Sequence, residues 1–276
     1  MKVLFAVSNE SISETIIKKY QQMYKEIILS KNVYYFNAII KELEKDKTYD
    51  RVVISEDLEP FTNNNYETID NFIFEKLDNI SDEAARIGAV NTVMLKDNKL
   101  YGYNTDYFGI HIMLKSKNIS IKNKTAVVLG AGGACKAVIT YLLDNDVEKI
   151  YIVSRNPKNI NLNKDNKKIS IINYNDLINI KGYLIINTTP VGMFPKIYDS
   201  AVNKEVIKNF EVVVDLVYNP MKTKFLQFAK EEGKVAIGGL LMLVGQAVKS
   251  QSIFNDKEIS NELINYIYDD LSKEFK

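Results

Sequence analysis

The chain has 276 residues, 46% of them hydrophobic and 26% charged, and 36 Lys and Arg balance 35 Asp and Glu to a net charge of +1. This length accommodates two domains with separate cores, and the near-neutral balance forces no basic patch, so nucleic acid is not an expected partner. The single Cys135 excludes an intramolecular disulfide framework, no apolar run approaches a membrane span, and "MKVLFAVSNES" lacks the apolar core and cleavage site of a signal peptide, so a cytoplasmic protein is expected.

In chain order, "KVLFAVS" (2–8) reads as a strand and 11–25 as a helix capped by Ser11 or Ser13. "EIILSK" (26–31) reads as a short strand, 34–47 as a helix with apolar spacing at Phe36, Ile39, Ile40 and Leu43, "DRVVIS" (50–55) as a strand and 66–80 as a helix. This βαβ alternation implies parallel strands in an N-terminal α/β domain, assigned to residues 1–105. All 12 glycines lie at or after Gly88, so composition changes sharply along the chain, and a seam is placed near residues 80–85.

The later part has clearer punctuation. "TAVVLG" (125–130) reads as a buried strand, 130–146 as a glycine turn opening a helix, and "KIYIVSR" (149–155), 182–190, 210–218 and 234–239 as further strands. Residues 222–233 read as a helix ending at Gly233, a favoured terminating residue. The fold class is α/β, with a C-terminal Rossmann-type doubly wound domain over 106–240, the N-terminal α/β domain, and C-terminal helices (241–276) packing back on the N-terminal domain.

"VVLGAGGACKA" carries the first chemical signal. Gly130, Ala131, Gly132, Gly133 and Ala134 follow a strand and open a helix, where small residues let backbone approach a pyrophosphate and free N–H groups face it. The next strand ends at Ser154, Arg155 and Asn156, with Lys158 beyond; it carries no acidic residue for ribose hydroxyls, and Arg155 suits a 2′-phosphate, favouring NADP over NAD. Asn91 in "IGAVNTV" and Asn104 in "GYNTDYFGI" sit in polar segments between apolar residues, and Asp106 opens a helix over 106–116, where it suits either a cap or a functional carboxylate.

"RIGAVNTV", "GYNTD", "VLGAGGA", "SRN", "NTTPVGM", "DLVYNP" and "GGLLMLVGQA" occur in that order, and together they resemble the shikimate dehydrogenases from about residue 80 to the C-terminus. The resemblance implies reversible reduction of 3-dehydroshikimate to shikimate with NADPH, a step toward chorismate and the aromatic amino acids. It implies NADP along 130–134, with Arg155 near the 2′-phosphate and Thr188, Leu216 and Gly239 on the nicotinamide side. It also implies a small-molecule substrate held by Asn91, Asp106, Tyr218 and Gln246, with Asp106 handling the proton on the reacting oxygen.

The N-terminal part departs from that pattern. The family pairs the residue matching Asp106 with a lysine in an "NVTxPxK"-like strand end, and no such stretch occurs here. Gap-free counting puts Asp70 at the lysine's place, the strand at 50–55 puts Glu56 or Asp57 there, and the nearest lysine, Lys76, falls on a solvated helix face. Ser11 and Ser13 match the spacing of the family's carboxylate-binding serines, a spacing that helix capping also produces. Residues 1–80 read more like a receiver-type α/β module, and the alternative function is an NADP-binding fusion protein without dehydrogenase activity. His111 is the only histidine, with no second ligand residue beside it, so it reads as structural; Cys135 reads as filling a small-residue slot. Metal is not expected, and no feature of the sequence specifies an oligomeric state.

Overall fold

The computed structural model describes residues 2–6, 26–30, 49–54, 77–97, 99–160, 162, 165–258 and 260–273. Ser11, Ser13, Glu56, Asp57, Asp70 and Lys76 lie outside the described residues, as do the helices expected over 11–25 and 34–47 and most of that over 66–80. The chain divides into two compact units, Met1–Thr105 with Ile253–Asp256, and Asp106–Ser252 with Lys257–Lys276. Among the described residues no helix is long and apolar enough to cross a membrane.

The first unit is built on one six-stranded sheet. Strands β1 (Lys2–Ala6), β2 (Glu26–Ser30) and β3 (Tyr49–Ile54) run parallel, with β1 between the other two. β4 is Asn79–Ile80, β5 is Thr92–Lys96 and β6 is Lys99–Tyr103, and the order across the sheet is β2-β1-β3-β5-β6-β4. β3 pairs antiparallel with β5, Val52 opposite Val93, so one sheet contains strands from before and after residues 80–85. β5 and β6 form an antiparallel hairpin, with Asp97 at φ 52 in its turn.

Asn79 and Ile80 correct the sequence expectation of a helix running to residue 80. They pair in parallel with Tyr101 and Gly102 of β6. Local hydrogen bonding explains the switch: Leu100 N donates to Asp78 Oδ2 at 2.7 Å, and Ser81, extended at φ −65 and ψ 154, caps the next helix by accepting from Ala84 N. A cap residue needs non-helical backbone, which keeps the chain extended just before helix α1 (Asp82–Ile87). Gly88, at φ 68, ends α1 in the left-handed conformation that glycine adopts without steric cost. Ala84, Val90 and Val93 form the buried cluster beneath these elements, with Leu77, Ile80 and Leu100 packed against it.

The second unit carries a fully parallel sheet: β7 (Thr125–Leu129), β8 (Lys149–Val153), β9 (Ile169–Ile172), β10 (Leu184–Asn187), β11 (Val212–Asp215) and β12 (Val235–Gly238). Its order, β12-β11-β10-β7-β8-β9, is the doubly wound arrangement in which chain direction across the sheet reverses between β7 and β10. β10 and β11 are buried at every residue, as expected of parallel strands covered on both faces. Val127, Leu129, Ile185, Val213, Phe210 and Phe225 belong to one buried cluster against the sheet.

The helices of this unit are α2 (Asp106–Lys115), α3 (Gly133–Asp144), α4 (Tyr174–Leu177), α5 (Lys204–Ile207), α6 (Lys224–Glu231), α7 (Leu240–Asn255) and α8 (Asn261–Leu271), although the last turn of α7 groups with the first unit. α8 places Ile264, Ile267, Tyr268 and Leu271 in a cluster with Val244 and Val248 of α7 and Phe108 and Ile112 of α2, while Leu263 is exposed. α2 and α7 approach at glycine: a Cβ on Gly109 would stand 2.7 Å from Met242 O, and one on Gly245 would stand 3.1 Å from Gly109 Cα.

Candidate active site

The register of the parallel sheet determines where the functional side chains fall. Gly238, Asp215, Asn187, Leu129 and Val153 form one row across β12, β11, β10, β7 and β8. The residues that follow them are Gly239, Leu216, Thr188, Gly130 and Ser154, all expected at the cofactor from sequence. They therefore line the carboxyl edge of the sheet as neighbours, over a span of roughly 19 Å at ~4.8 Å per strand. Backbone bonds continue the ladder into this row: Thr188 N to Leu129 O at 3.0 Å, Leu216 N to Asn187 O at 3.0 Å, Gly130 N to Val153 O at 2.9 Å and Ser154 N to Ile172 O at 3.0 Å. Gly130 and Thr188 flank the point where chain direction reverses, the place where doubly wound sheets bind ligands.

Gly130 has φ 101, and a Cβ there would stand 2.8 Å from Thr189 Cγ2 and 2.9 Å from Thr188 Oγ1. A side chain at 130 would be both strained and crowded. Gly132 caps α3 without a side chain, a Cβ on it would meet nothing within 4 Å, and the first turn of α3 carries no acidic residue. Open space, uncapped N–H groups and the positive end of a 12-residue helix fit a pyrophosphate. Ala131 and Ala134 are half-buried in the same turn. At the far end of the row Arg155 and Asn156 are exposed, and Asn156 N donates to Ser154 Oγ at 3.2 Å. Burial pushes the Tyr174 hydroxyl up and the Arg155 charge opposes it, so the guanidinium lies near the start of α4. At the other end, a Cβ on Gly239 would run into the Leu216 carbonyl, so only glycine allows that approach.

Thr188 Oγ1 donates to Leu129 O at 2.7 Å, tying β10 to β7 just beyond the ladder. Cys135 is fully buried, and burial pushes its thiol up to about 12, partly offset by a hydrogen bond with the Thr188 side chain. It is a small packed residue rather than a nucleophile.

In the first unit, Asn91 and Asn104 staple two polar segments together. Asn91 Oδ1 accepts from Thr105 N at 2.9 Å, Thr92 Oγ1 at 3.1 Å and Thr105 Oγ1 at 3.3 Å, and Asn104 Nδ2 donates to Ala89 O at 3.2 Å. These bonds fix the Asn91 amide with its oxygen inward and leave Nδ2 as its hydrogen-bonding group for a ligand.

In the second unit, Asp106 is 2% exposed and is the first residue of α2, one turn before Gly109. Gln246 follows Gly245 on α7, and its backbone N would lie 3.4 Å from a Cβ on Gly109, so the α2–α7 crossing brings these two segments together. Tyr218 is half-buried in the loop after β11. His111 shares a 3.4 Å hydrogen bond with Tyr141 across α2 and α3, and burial and Lys115 both lower its pKa, consistent with a neutral structural ring. Among the described residues no group of three or more His, Cys, Asp or Glu side chains could hold a metal.

Sequence reasoning missed a buried polar cluster beneath the row. Asn187, Asp215 and Thr223 are all 0% exposed. Asn187 Nδ2 donates to Asp215 Oδ1 at 2.9 Å and Thr223 Oγ1 to Asp215 Oδ2 at 2.6 Å. Polar residues closing two otherwise apolar strands were the available signal.

No family model matches the chain. It is 49% identical over 204 residues, 74% of this chain and 75% of the relative, to the NADP(+) shikimate dehydrogenase of Clostridium beijerinckii. Among solved structures it resembles shikimate dehydrogenase 1 from Peptoclostridium difficile, with TM-score 0.83 and 38% identity over 99% of this chain and 98% of that one. It also resembles the shikimate 5-dehydrogenase of Thermus thermophilus solved in complex with NADP(H) and shikimate, with TM-score 0.77 and 25% identity over 97% of this chain and 98% of that one. The carboxyl-edge row, the glycine turn and these similarities lead to one conclusion: the chain belongs to the shikimate dehydrogenase family of oxidoreductases.

Proposed function

We propose that the chain interconverts 3-dehydroshikimate and shikimate with NADP(H) as cofactor. The carrying observation is the row Gly239, Leu216, Thr188, Gly130 and Ser154 at the carboxyl edge of the second sheet, joined to a glycine turn whose helix N-terminus is uncapped. Gly130 to Ala134 hold the pyrophosphate through backbone N–H groups. Ser154, Arg155 and Asn156 receive the 2′-phosphate, and the charge of Arg155 selects NADP over NAD. Thr188, Leu216 and Gly239 line the nicotinamide. When bound, the cofactor supplies or accepts the hydride.

Residues 1–105 form the substrate-side domain, and each unit carries its own share of substrate groups. In the first, Asn91 offers Nδ2 as a donor, and Ser11 and Ser13 receive the substrate carboxylate, the role that the family resemblance gives them. In the second, Asp106, Tyr218 and Gln246 meet the ring hydroxyls. Hydride arrival at the carbonyl carbon leaves an alkoxide, and Asp106 handles the proton that neutralises it. A reducing compartment suits the lone thiol of Cys135, and the cytoplasm is the proposed location.

The test is NADPH formation by purified protein with NADP and shikimate. A rate well above the enzyme-free control, abolished in Asp106→Ala, supports the reading. NADPH binding without any turnover refutes the activity and favours an NADP-binding protein whose N-terminal part supplies no working proton donor.

A further inference from the structure

Asp215 is a buried carboxylate that the proposed chemistry does not use. It is the last residue of β11, opposite Asn187 at the end of β10, so the two side chains share a face of the sheet. Three neutral donors converge on it: Asn187 Nδ2 at 2.9 Å and Val217 N at 3.1 Å on Oδ1, and Thr223 Oγ1 at 2.6 Å on Oδ2. Each partner fixes a different piece of backbone. Asn187 Oδ1 accepts from Thr189 N at 3.0 Å and Thr189 Oγ1 at 2.6 Å, and its Nδ2 also reaches Val191 O at 3.3 Å, so the 188–191 loop wraps around this amide. Thr223 accepts from Leu226 N at 3.3 Å and caps α6. Loop 216–223 is therefore held near both ends by a single carboxylate, through Val217 and through Thr223.

We propose that Asp215, acting through Asn187 and Thr223, is a positioning residue for the nicotinamide side of the site. It sets Thr188, which follows Asn187, and Leu216 and Tyr218, which lie in the loop it clamps. Motifs "NTTPVGM" and "DLVYNP" are in this sense one structure, joined through an amide and a carboxylate. The proposal rests on the cofactor assignment above. The carboxylate is fully buried among Asn187, Val217 and Thr223, and its role is geometric.

The chemistry predicts the effect of each substitution. In Asp215→Asn, two donors meet at the Oδ1 position, so the new NH2 takes the Oδ2 position and faces the Thr223 hydroxyl, whose second lone pair can accept from it beside Leu226 N while the hydroxyl's own hydrogen loses the carboxylate. The clamp on the 223 end is then weakened from a charge-assisted bond to a neutral one while the Asn187 link survives. Thr223→Val removes the hydroxyl alone, and Thr223→Ser restores it.

The experiment compares these variants with the unmodified protein in thermal unfolding, NADPH affinity, emission of bound NADPH, and kcat and KM for shikimate. Expected for Asp215→Asn and Thr223→Val are an NADPH Kd within about twofold, because the pyrophosphate and 2′-phosphate groups lie elsewhere, together with altered nicotinamide emission and a kcat lower by about tenfold or more. Thr223→Ser should recover emission and kcat. Folded variants with unchanged emission and kcat overturn the proposal, as do variants whose affinity and turnover fall in parallel with thermal stability. If the unmodified protein binds NADPH without turnover, the activity reading fails alone and emission still decides the role of Asp215. If it binds no NADPH, both fail.

Discussion

Gly109→Ala sets helix propensity against packing. In an exposed helix, alanine is more favourable than glycine by ~1 kcal/mol. Gly109 is an interior residue of α2, so propensity alone predicts stabilisation. The crossing with α7 predicts the reverse. The added Cβ would stand 2.7 Å from Met242 O and 2.9 Å from Met242 Cγ, whereas a relaxed carbon–oxygen contact needs about 3.3 Å. The Met242 side chain can turn away, but its carbonyl cannot, so the helices must separate by about 0.6 Å. Gly245 blocks a simple slide, because its own Cβ position is only 3.1 Å from Gly109 Cα. Overpacking of this kind costs ~1–3 kcal/mol, and contact with backbone places it in the upper half. Subtracting the propensity gain leaves a net loss of about 1–2 kcal/mol, or a fall in Tm of about 2–8 °C for a unit of this size. Urea and thermal unfolding by circular dichroism measure it. The helix separation also moves Asp106 relative to Gln246, so kcat/KM for shikimate should fall while NADPH affinity holds. A Gly109→Ala protein with a Tm equal to or above that of the unmodified chain would refute the reasoning, since propensity would then have won.

Other expectations follow from single sites. Arg155→Ser removes a charge-assisted contact of about 1.5–3 kcal/mol, so the KM for NADP should rise by roughly 10- to 100-fold with little change for NAD; an unchanged preference between the two in steady-state kinetics would count against the assignment. Asn91→Asp keeps the inward acceptor oxygen and deletes the Nδ2 donor; kcat/KM for shikimate should fall by about tenfold or more with only a modest change in melting temperature. The Cys135 thiol, held near 12 against a reference of 9.0, should resist alkylation at pH 8 in the native state and react once the chain unfolds. Because the folded pKa is raised, its contribution to stability is complete below pH 9 and is lost as pH rises toward 12, by about 1.4 kcal/mol at pH 10. Denaturant unfolding at pH 8 and pH 10 should show a larger loss in the unmodified protein than in Cys135→Ala, the difference being about this amount, while the buried tyrosines Tyr141 and Tyr174 leave a residual slope in both.

Much of the second unit was legible in the sequence because parallel buried strands leave uninterrupted apolar runs, and the glycine turn needs small residues at fixed spacing. "TAVVL" and "FEVVVD" announced β7 and β11, although side-chain capping shortened several elements. The strand expected over 182–190 ends at Asn187, whose side chain takes the Thr189 N–H and turns the chain. The β5–β6 hairpin was less visible, since its residues alternate in character and its partner strand β3 lies far off in sequence. The end of the helix expected to reach residue 80 failed for a similar reason: Asn79 and Ile80 become β4 only because Tyr101 and Gly102 stand ready to pair with them. Sequence motifs of the family begin near residue 80, whereas the fold-level likeness covers 99% of the chain.

The sequence by itself determined the doubly wound architecture, the glycine turn that opens a helix after β7, and the family membership those motifs imply, because each is carried by local spacing. Only the tertiary structure decided that Gly239, Leu216, Thr188, Gly130 and Ser154 form one row, since that depends on strand order and register rather than on separation in sequence. It also decided that Asn187, Asp215 and Thr223 meet in a single buried cluster, and that Gly109 serves the close approach of two helices. Hydrogen bonds and contacts between distant residues leave no periodic mark in a sequence, so these features could be found only where folding brings the partners together.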